Sequence, residues 1–391
     1  MGETEKLTEA GAWLNQIHPY ERWIESLNVP IYRGYYMEDL GSLKLGRWED
    51  RECHAAFLQL AGQEGVSAIY LTEVPAGKTL RPFRMAIDEL VYVIQGAGLT
   101  TIWSGERPKR VFEWQKHSFF LLPANYTYEL GNMRGSEPAR LLHCSGLPTA
   151  MAAIPDPAFY FQSTAVDLSV LYGTDEEQHY SKLQVIKDTG HKTPRDVWIG
   201  NFFSDMLSWY RLEALKARGA GGHIVWISFP RSLHVSHMSV FPSGTYKKAH
   251  RHGPGVVVIV LAGEGYSIMW PEQGADKVVI PWHEGSVFVP PNNWWHQHFN
   301  PGRAPARYLA LHAPTGMPTG NAYFTNSKGE KLTVAPEDDP ANQIEYPDED
   351  PWIRKKFEEE LAKSGLKSLM PDEAYGDRDF KWRYSEDKNA S

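Results

Sequence analysis

Displaced by about 167 residues, this sequence lies on itself. PAGKTLRPFRM (75–85) falls on PSGTYKKAHRH (242–252), and LVYVIQGAGLTTIW (90–103) falls on VVIVLAGEGYSIMW (257–270). The second match pairs Gly96 with Gly263, Gly98 with Gly265 and Trp103 with Trp270. After a one-residue slip, WQKHSFFLLPANYTYELGN (114–132) meets WHEGSVFVPPNNWWHQHFN (282–300). Gly135-x-x-Pro-Ala-Arg140 then meets Gly302-x-x-Pro-Ala-Arg307. Solenoid repeats run to roughly 20–50 residues, so a period this long is a duplicated domain. A length of 391 residues has room for two domains with arms.

Each copy reads as β structure. Short runs rich in Val, Ile, Tyr, Phe and Trp, such as VSHMSVF (235–241), VVVIVLAG (256–263) and SVFVPP (286–291), are broken by Gly, Pro and Asn. That spacing suits a sandwich or barrel. Helical signals fall outside the copies. Trp13, Leu14, Ile17, Trp23 and Ile24 give residues 8–27 a helical period, interrupted at Pro19. Asp350-Pro351 is a cap followed by Pro at the first helical position; Ile353, Phe357 and Leu361 repeat every four residues, and Gly365 ends the helix. The expected division is a helical arm (1–33), a first β domain (34–147), a connection (148–200), a second β domain (201–315) and an extension with one helix (316–391).

Composition removes several classes of function. With 40 Lys+Arg against 48 Asp+Glu the net charge is −8, so no nucleic-acid partner is expected. The apolar run Val256 to Ala262 is far too short to span a bilayer, so no membrane partner is expected either. The charged N-terminus lacks a secretory apolar region, and Lys6 stands where a myristoylation signal wants Ser or Thr. Cys53 and Cys144 form no C-x-x-C pair and read as buried thiols of a reducing, cytoplasmic protein. Gly263-Glu264-Gly265 lacks the third glycine of a dinucleotide fingerprint, and no P-loop or G-x-S-x-G elbow is present.

Chemistry concentrates in the second copy. His250 and His252 are one residue apart in an extended segment, so both imidazoles project to one face. His296 follows about 44 residues later, after the turn Pro290-Pro291-Asn292-Asn293. Three neutral imidazoles suit zinc, iron, copper or nickel and leave positions open for water or substrate. A wet surface face would explain one His-x-His; a third histidine in the matching strand favours a metal.

These residues carry a family resemblance. Gly244-x5-His250-x-His252 followed by Gly263 resembles the first cupin motif, and Gly285-x5-Pro291-x-Asn293-x2-His296-x3-Asn300 the second, with Asn293 where the family usually has Gly. Over residues 34–146 and 201–313 the chain is similar to a bicupin. The resemblance implies an all-β-dominated fold of two tandem jelly-roll barrels with short flanking helices. Two departures matter. Cupins commonly carry Glu shortly after the His-x-His pair; here Val256 and Val257 stand there, which leaves a three-histidine centre. In the first copy Phe83, Met85 and Tyr128 replace the histidines while Glu89 keeps the acidic position. That barrel is expected to be metal-free, with Glu89 paired to Arg81 or Arg84.

The expected centre is one divalent transition metal per chain on His250, His252 and His296, iron(II) first, with manganese, nickel, zinc or copper as alternatives. His298, two residues on, is the candidate for proton transfer, as a fourth ligand or an outer donor to a ligand. Val256, His237 and Trp295 are candidate substrate residues. A doubly charged ion on neutral ligands favours a small anionic, chelating substrate. The resemblance implies an iron(II) dioxygenase acting on an oxygenated or aromatic, gentisate- or diketone-like compound. A metal-dependent lyase, decarboxylase or isomerase is the alternative, and a non-enzymatic storage or ligand-binding bicupin a third. A homo-oligomer is expected.

Overall fold

The computed structural model describes residues 17–162, 179–188, 195–312 and 340–384, with 168, 314, 324–325, 327–328 and 331–332. Each copy builds a barrel from a large and a small sheet, antiparallel except where Ile31–Gly34 pairs in parallel with Cys53–Leu60 and Arg195–Ile199 with His223–Ser228. In the first, the large sheet runs Ile31–Gly34, Cys53–Leu60, Ala68–Val74, Ala139–Ser145, Glu89–Gln95 and Phe119–Leu122. Its small sheet runs Phe83–Arg84, Thr127–Asn132, Ala97–Trp103 and Arg110–Gln115. The second barrel repeats this order with His223–Ser228, Val235–Phe241, Ala306–His312, Val256–Ala262 and Val287–Phe288 facing Val278–His283, Glu264–Trp270, Trp295–Asn300 and Ala249–His250. Two jelly-roll-like barrels in tandem are what the resemblance implied.

Strand alternation sorts the side chains. Val256, Val258 and Val260 point into the second barrel with Phe288, Tyr308 and Ala310. Val257, Ile259 and Leu261 point out, yet are fully buried against Leu58, Ile69, Leu71, Leu90 and Phe119 of the first barrel. The barrels therefore pack back to back through their large sheets. Strands with two buried faces read as continuous apolar runs, which is why VVVIVLA lacks polar alternation.

Equivalent features recur at equivalent positions. Gly98 and Gly265 lie where a Cβ would meet the Gly131 and Phe299 carbonyl oxygens at 2.0 and 2.1 Å, and the indoles of Trp114 and Trp282 besides. Only glycine fits there. Each indole donates to a hydroxyl within its own barrel, Trp114 to Thr100 and Trp282 to Ser267, both at 3.0 Å.

Two short strands cross between barrels. Tyr36–Met37 pairs with Val287–Phe288 of the second barrel, and Phe202–Phe203 pairs with Phe119 and Phe120 of the first. Tyr36 and Phe203 are themselves 167 residues apart, so the exchange is part of the duplication. The divisions at 33/34 and 200/201 accordingly do not separate the sheets: each large sheet ends in a strand from the other copy.

The N-terminal helix is Pro19–Ser26, and Pro19 starts it rather than interrupting it. His18 is the cap, its Nδ1 accepting from Tyr20 N at 3.2 Å. A proline at the first helical position loses no hydrogen bond. Residues 8–16 of the expected helix, with Trp13 and Leu14, lie outside the described residues. The C-terminal helix is Pro351–Lys363, capped by Asp350, with Ile353, Phe357 and Leu361 buried. It packs within the chain, against Tyr246, Tyr266 and Phe299 on the outer face of the second small sheet. The extension carries more than one helix: Glu373–Gly376 is a second, and Gln343–Ile344 adds a strand to that sheet. Cys53 and Cys144 are buried free thiols, and burial pushes Cys144 up to about 12.

Candidate metal centre

His250 and His296 face each other as register partners across the second small sheet. His252 arrives from the turn after the strand ends at His250, held where Asn293 N donates to His252 O at 2.9 Å. Their ring centroids lie 4.2 Å (His250–His296), 4.7 Å (His252–His296) and 5.9 Å (His250–His252) apart. One ligand atom from each falls within 4.8 Å of the others, and this is the one such group among the described residues. Asn293 occupies the left-handed region at φ 61°, as Asn125 does in the first copy at φ 65°. Asn is among the few residues tolerant of that conformation, so the turn keeps its shape without the family's glycine.

The donor chemistry fits a divalent transition metal. Each Nδ1 faces a backbone carbonyl: His252 with Gly253 O at 2.8 Å, His296 with Trp294 O at 3.0 Å and, longer, His250 with Lys248 O at 3.4 Å. A carbonyl only accepts, so Nδ1 carries the proton and Nε2 keeps its lone pair. Burial, then the Arg218 charge and neighbouring imidazoles, holds His250 well below the usual histidine range; burial and His252 do the same for His296. Both are neutral, as ligands must be.

The expected partners of the triad are distributed unevenly. His298 lies outside the ligand group, its ring 5.7 Å from His296 and 6.2 Å from His250, with Nδ1 2.8 Å from Ser267 Oγ. Val256 is buried in the lumen. His237 is half-buried, its Nδ1 3.1 Å from His312 Nε2, and it packs on Trp226. Trp295 lies under the Arg251 guanidinium (4.6 Å), which also bonds Asn342 and Ala341 O.

The sequence reading missed His312, Lys247, Tyr308 and Arg218. His312 was available from alternation, since Tyr308, Ala310 and His312 share the inward face. Burial, with His252 and Arg195, takes His312 down to about 3. Lys247 was available from the repeat, where it falls on Leu80. Arg218 comes from the turn Lys216–Arg218 and donates to Gln343 Oε1 at 2.9 Å; Gln343 sits opposite His250.

In the first barrel the equivalent positions hold a closed polar network. The guanidinium of Arg51 lies 4.1 Å from the Phe83 ring, with Trp48, Tyr70 and Tyr128 around it. It donates to Tyr128 OH at 2.7 Å and Tyr70 OH at 3.2 Å. Both phenols donate to Glu89, and His143 Nδ1 faces it at 3.8 Å. Burial alone would raise Glu89; His143, Arg51 and the Tyr70 hydroxyl outweigh it and hold the carboxyl below its usual value. Arg81, one of the expected partners, is instead bound to Glu52 at 2.8 Å on the surface, and the cation of this network is Arg51.

Two tandem jelly-roll-like barrels, an imidazole triad in the second and its degenerate copy in the first are the arrangement that the resemblance implied. No protein-family model and no curated protein matches the chain. Similar solved structures include a variant of Bacillus subtilis oxalate decarboxylase, at 13% identity and TM-score 0.45 over 71% of this chain and 76% of that one. Lactobacillus farciminis oxalate decarboxylase in a formate complex gives 11%, 0.45, 71% and 85%. Hazelnut (Corylus avellana) vicilin gives 11%, 0.44, 72% and 86%. The chemistry of the centre is therefore read from its own residues.

Proposed function

We propose that the C-terminal barrel is a metalloenzyme centre holding one divalent transition metal on His250, His252 and His296, and that it acts on a small anionic, oxygen-bearing substrate. One observation carries this reading: three imidazoles, those of His250 and His296 buried and that of His252 half-buried, converge with every Nδ1 turned to a carbonyl, and no carboxylate joins them among the described residues. A bound ion supplies an undiminished double positive charge with positions left for chelating oxygens. The chain's own residues would do the rest. Val256, Val258 and Phe288 exclude water from one wall. The buried cation Arg218 would favour an anion, and His298 and His237, held well below the usual histidine range by burial, would exchange protons with it.

Iron(II) and a dioxygenase reaction on a diketone- or gentisate-like compound are the first specific reading, since neutral ligands leave room for both substrate and dioxygen. A lyase, decarboxylase or isomerase reaction is the second, favoured by the acid–base side chains packed beside the triad. Elemental analysis of anaerobically purified protein tests the centre; about one transition metal per chain is expected, and none would overturn it. Dioxygen uptake during turnover of diketone and gentisate compounds then separates the two reactions.

A further inference from the structure

The layer beneath the triad differs between the copies in a single direction. Leu80, Leu130 and Leu141 of the first barrel are buried core residues; at the same repeat positions the second barrel has Lys247, His298 and Tyr308. The fold is therefore satisfied by leucine at all three. A lysine buried to 1% exposure is costly unless something uses it. Lys247 N donates to His298 O at 3.1 Å, which sets the lysine beside the strand of His296 and His298. Its Nζ bonds Ser239 Oγ and, at 2.8 Å, Tyr308 OH, over the rings of Phe241 and Tyr308. Tyr308 packs edge-on to His298 at 5.1 Å.

The hydrogen bonds leave room for a neutral amine. Ser239 gives its own proton to His223 O at 3.2 Å, so it accepts from Lys247. Lys247 Nζ stands as donor to Tyr308 OH; as a neutral amine it can instead accept the Tyr308 proton on its lone pair. The groups facing the amine agree: burial first, then the Arg218 charge, holds Lys247 well below the usual lysine range, and no carboxylate among the described residues bonds it. Burial pushes Tyr308 up to about 12.

We propose that Lys247 and Tyr308 are a proton-exchanging pair of the C-terminal barrel, taking up the proton that a ligand hydroxyl loses on binding and returning it on release. This rests on the chelating centre proposed above. The ligand O–H bond breaks and its electron pair stays on the ligand oxygen. Tyr308 Oη takes that proton as its own passes to Lys247 Nζ, where an N–H bond forms and an ammonium results. Release runs the same transfers backwards.

Two measurements on the full metal-loaded chain test it. Carbon-13-labelled lysine should show, at slightly alkaline pH, one side chain with the shift of a free amine, absent in Lys247→Leu and displaced in Tyr308→Phe. Calorimetric titration with nitrocatechol, in buffers of different ionisation enthalpy, counts protons. The wild type should release one proton fewer per catechol bound than either variant, at unchanged metal content. An ammonium in the wild type, or equal proton counts in all three, overturns the pair. Catechol that fails to bind metal-loaded protein overturns the chelating centre instead, and the lysine spectrum still decides the pair.

Discussion

Replacing Arg51 with Met should reveal what holds the first barrel together. The side chain is 1% exposed, boxed by four aromatic rings, and bonded to two phenols that both donate to Glu89. The Arg51→Met variant keeps volume and removes the only cation of this network, leaving a carboxylate at 1% exposure opposite a neutral imidazole. Breaking a buried pair from one side costs about 3–5 kcal/mol, because the remaining charge stays desolvated. Glu89→Gln alone should cost less, since an amide oxygen still accepts from a tyrosine. The double variant should recover much of the loss, with a coupling energy near the top of the roughly 0.5–3 kcal/mol found within one network. As a control, Arg81→Met, which removes the surface pair with Glu52, should cost under about 1 kcal/mol. Urea unfolding followed by circular dichroism measures all four. A loss below about 1 kcal/mol for Arg51→Met, or strict additivity with Glu89→Gln, refutes the network.

Metal analysis should give about one ion per chain; His252→Ala should abolish it, and Glu89→Gln should leave it unchanged. Val256→Glu should retain the metal while weakening capture of an anionic chelator, measured by titration against Val256→Gln as the neutral control; equal weakening in both would make the effect steric. The contact between barrels should tune stability with pH. His234 lies 3.6 Å from Asp88, and Ser232 donates to the same carboxylate. Burial lowers His234 but Asp88 more than offsets it, raising it above its ordinary 6.5; burial raises Asp88 but His234 and Ser232 bring it below 3.8. The His234 contribution is complete below 6.5 and lost as pH rises through the folded value; that of Asp88 is present above 3.8 and lost as pH falls through its folded value. Thermal melts should show a shoulder of stability between these limits, and His234→Gln should flatten its alkaline side.

The barrels and the triad were legible because their signals are local and repeated. Gly98 and Gly265 mark the same close approach, and His250, His252 and His296 stand at fixed distances from turns that the copies share. Long-range partnership was not legible. Glu89 was matched to arginines a few residues away, but Arg81 binds Glu52 on the surface, and the cation of the Glu89 network arrives from a turn 38 positions upstream. The exchanged strands are two residues each, too short to carry any period. Pro19 broke an apolar period that the chain resumes from a proper helix start. Lys247 and Tyr308 were hidden for a different reason: a polar residue inside a β barrel reads as an outward position unless the twin copy is consulted, where leucine shows the position to be core.

The contacts between barrels give the copy without the histidines a structural role at the centre. Gly62 of the first barrel lies where a Cβ would strike the Pro290 and Val289 carbonyl oxygens at 2.2 and 2.4 Å, so the turn leading to His296 rests directly on its backbone. Glu64 accepts from Asn292 N at 2.8 Å, one residue before the left-handed Asn293 that also ties down His252. Gly255 N donates to Gly62 O at 2.8 Å, which fixes the loop after His252. Asp88 binds His234, whose Nδ1 lies 3.1 Å from His312 O at the end of the inward strand. Turn, loop and strand end are the three segments that frame the triad, and each is held by the other barrel. A metal site needs its ligands held to a fraction of an ångström by what surrounds them. The first barrel thus braces the turn, loop and strand end around the triad, and the network of Arg51, Tyr70, Tyr128 and Glu89 ties that barrel together from within.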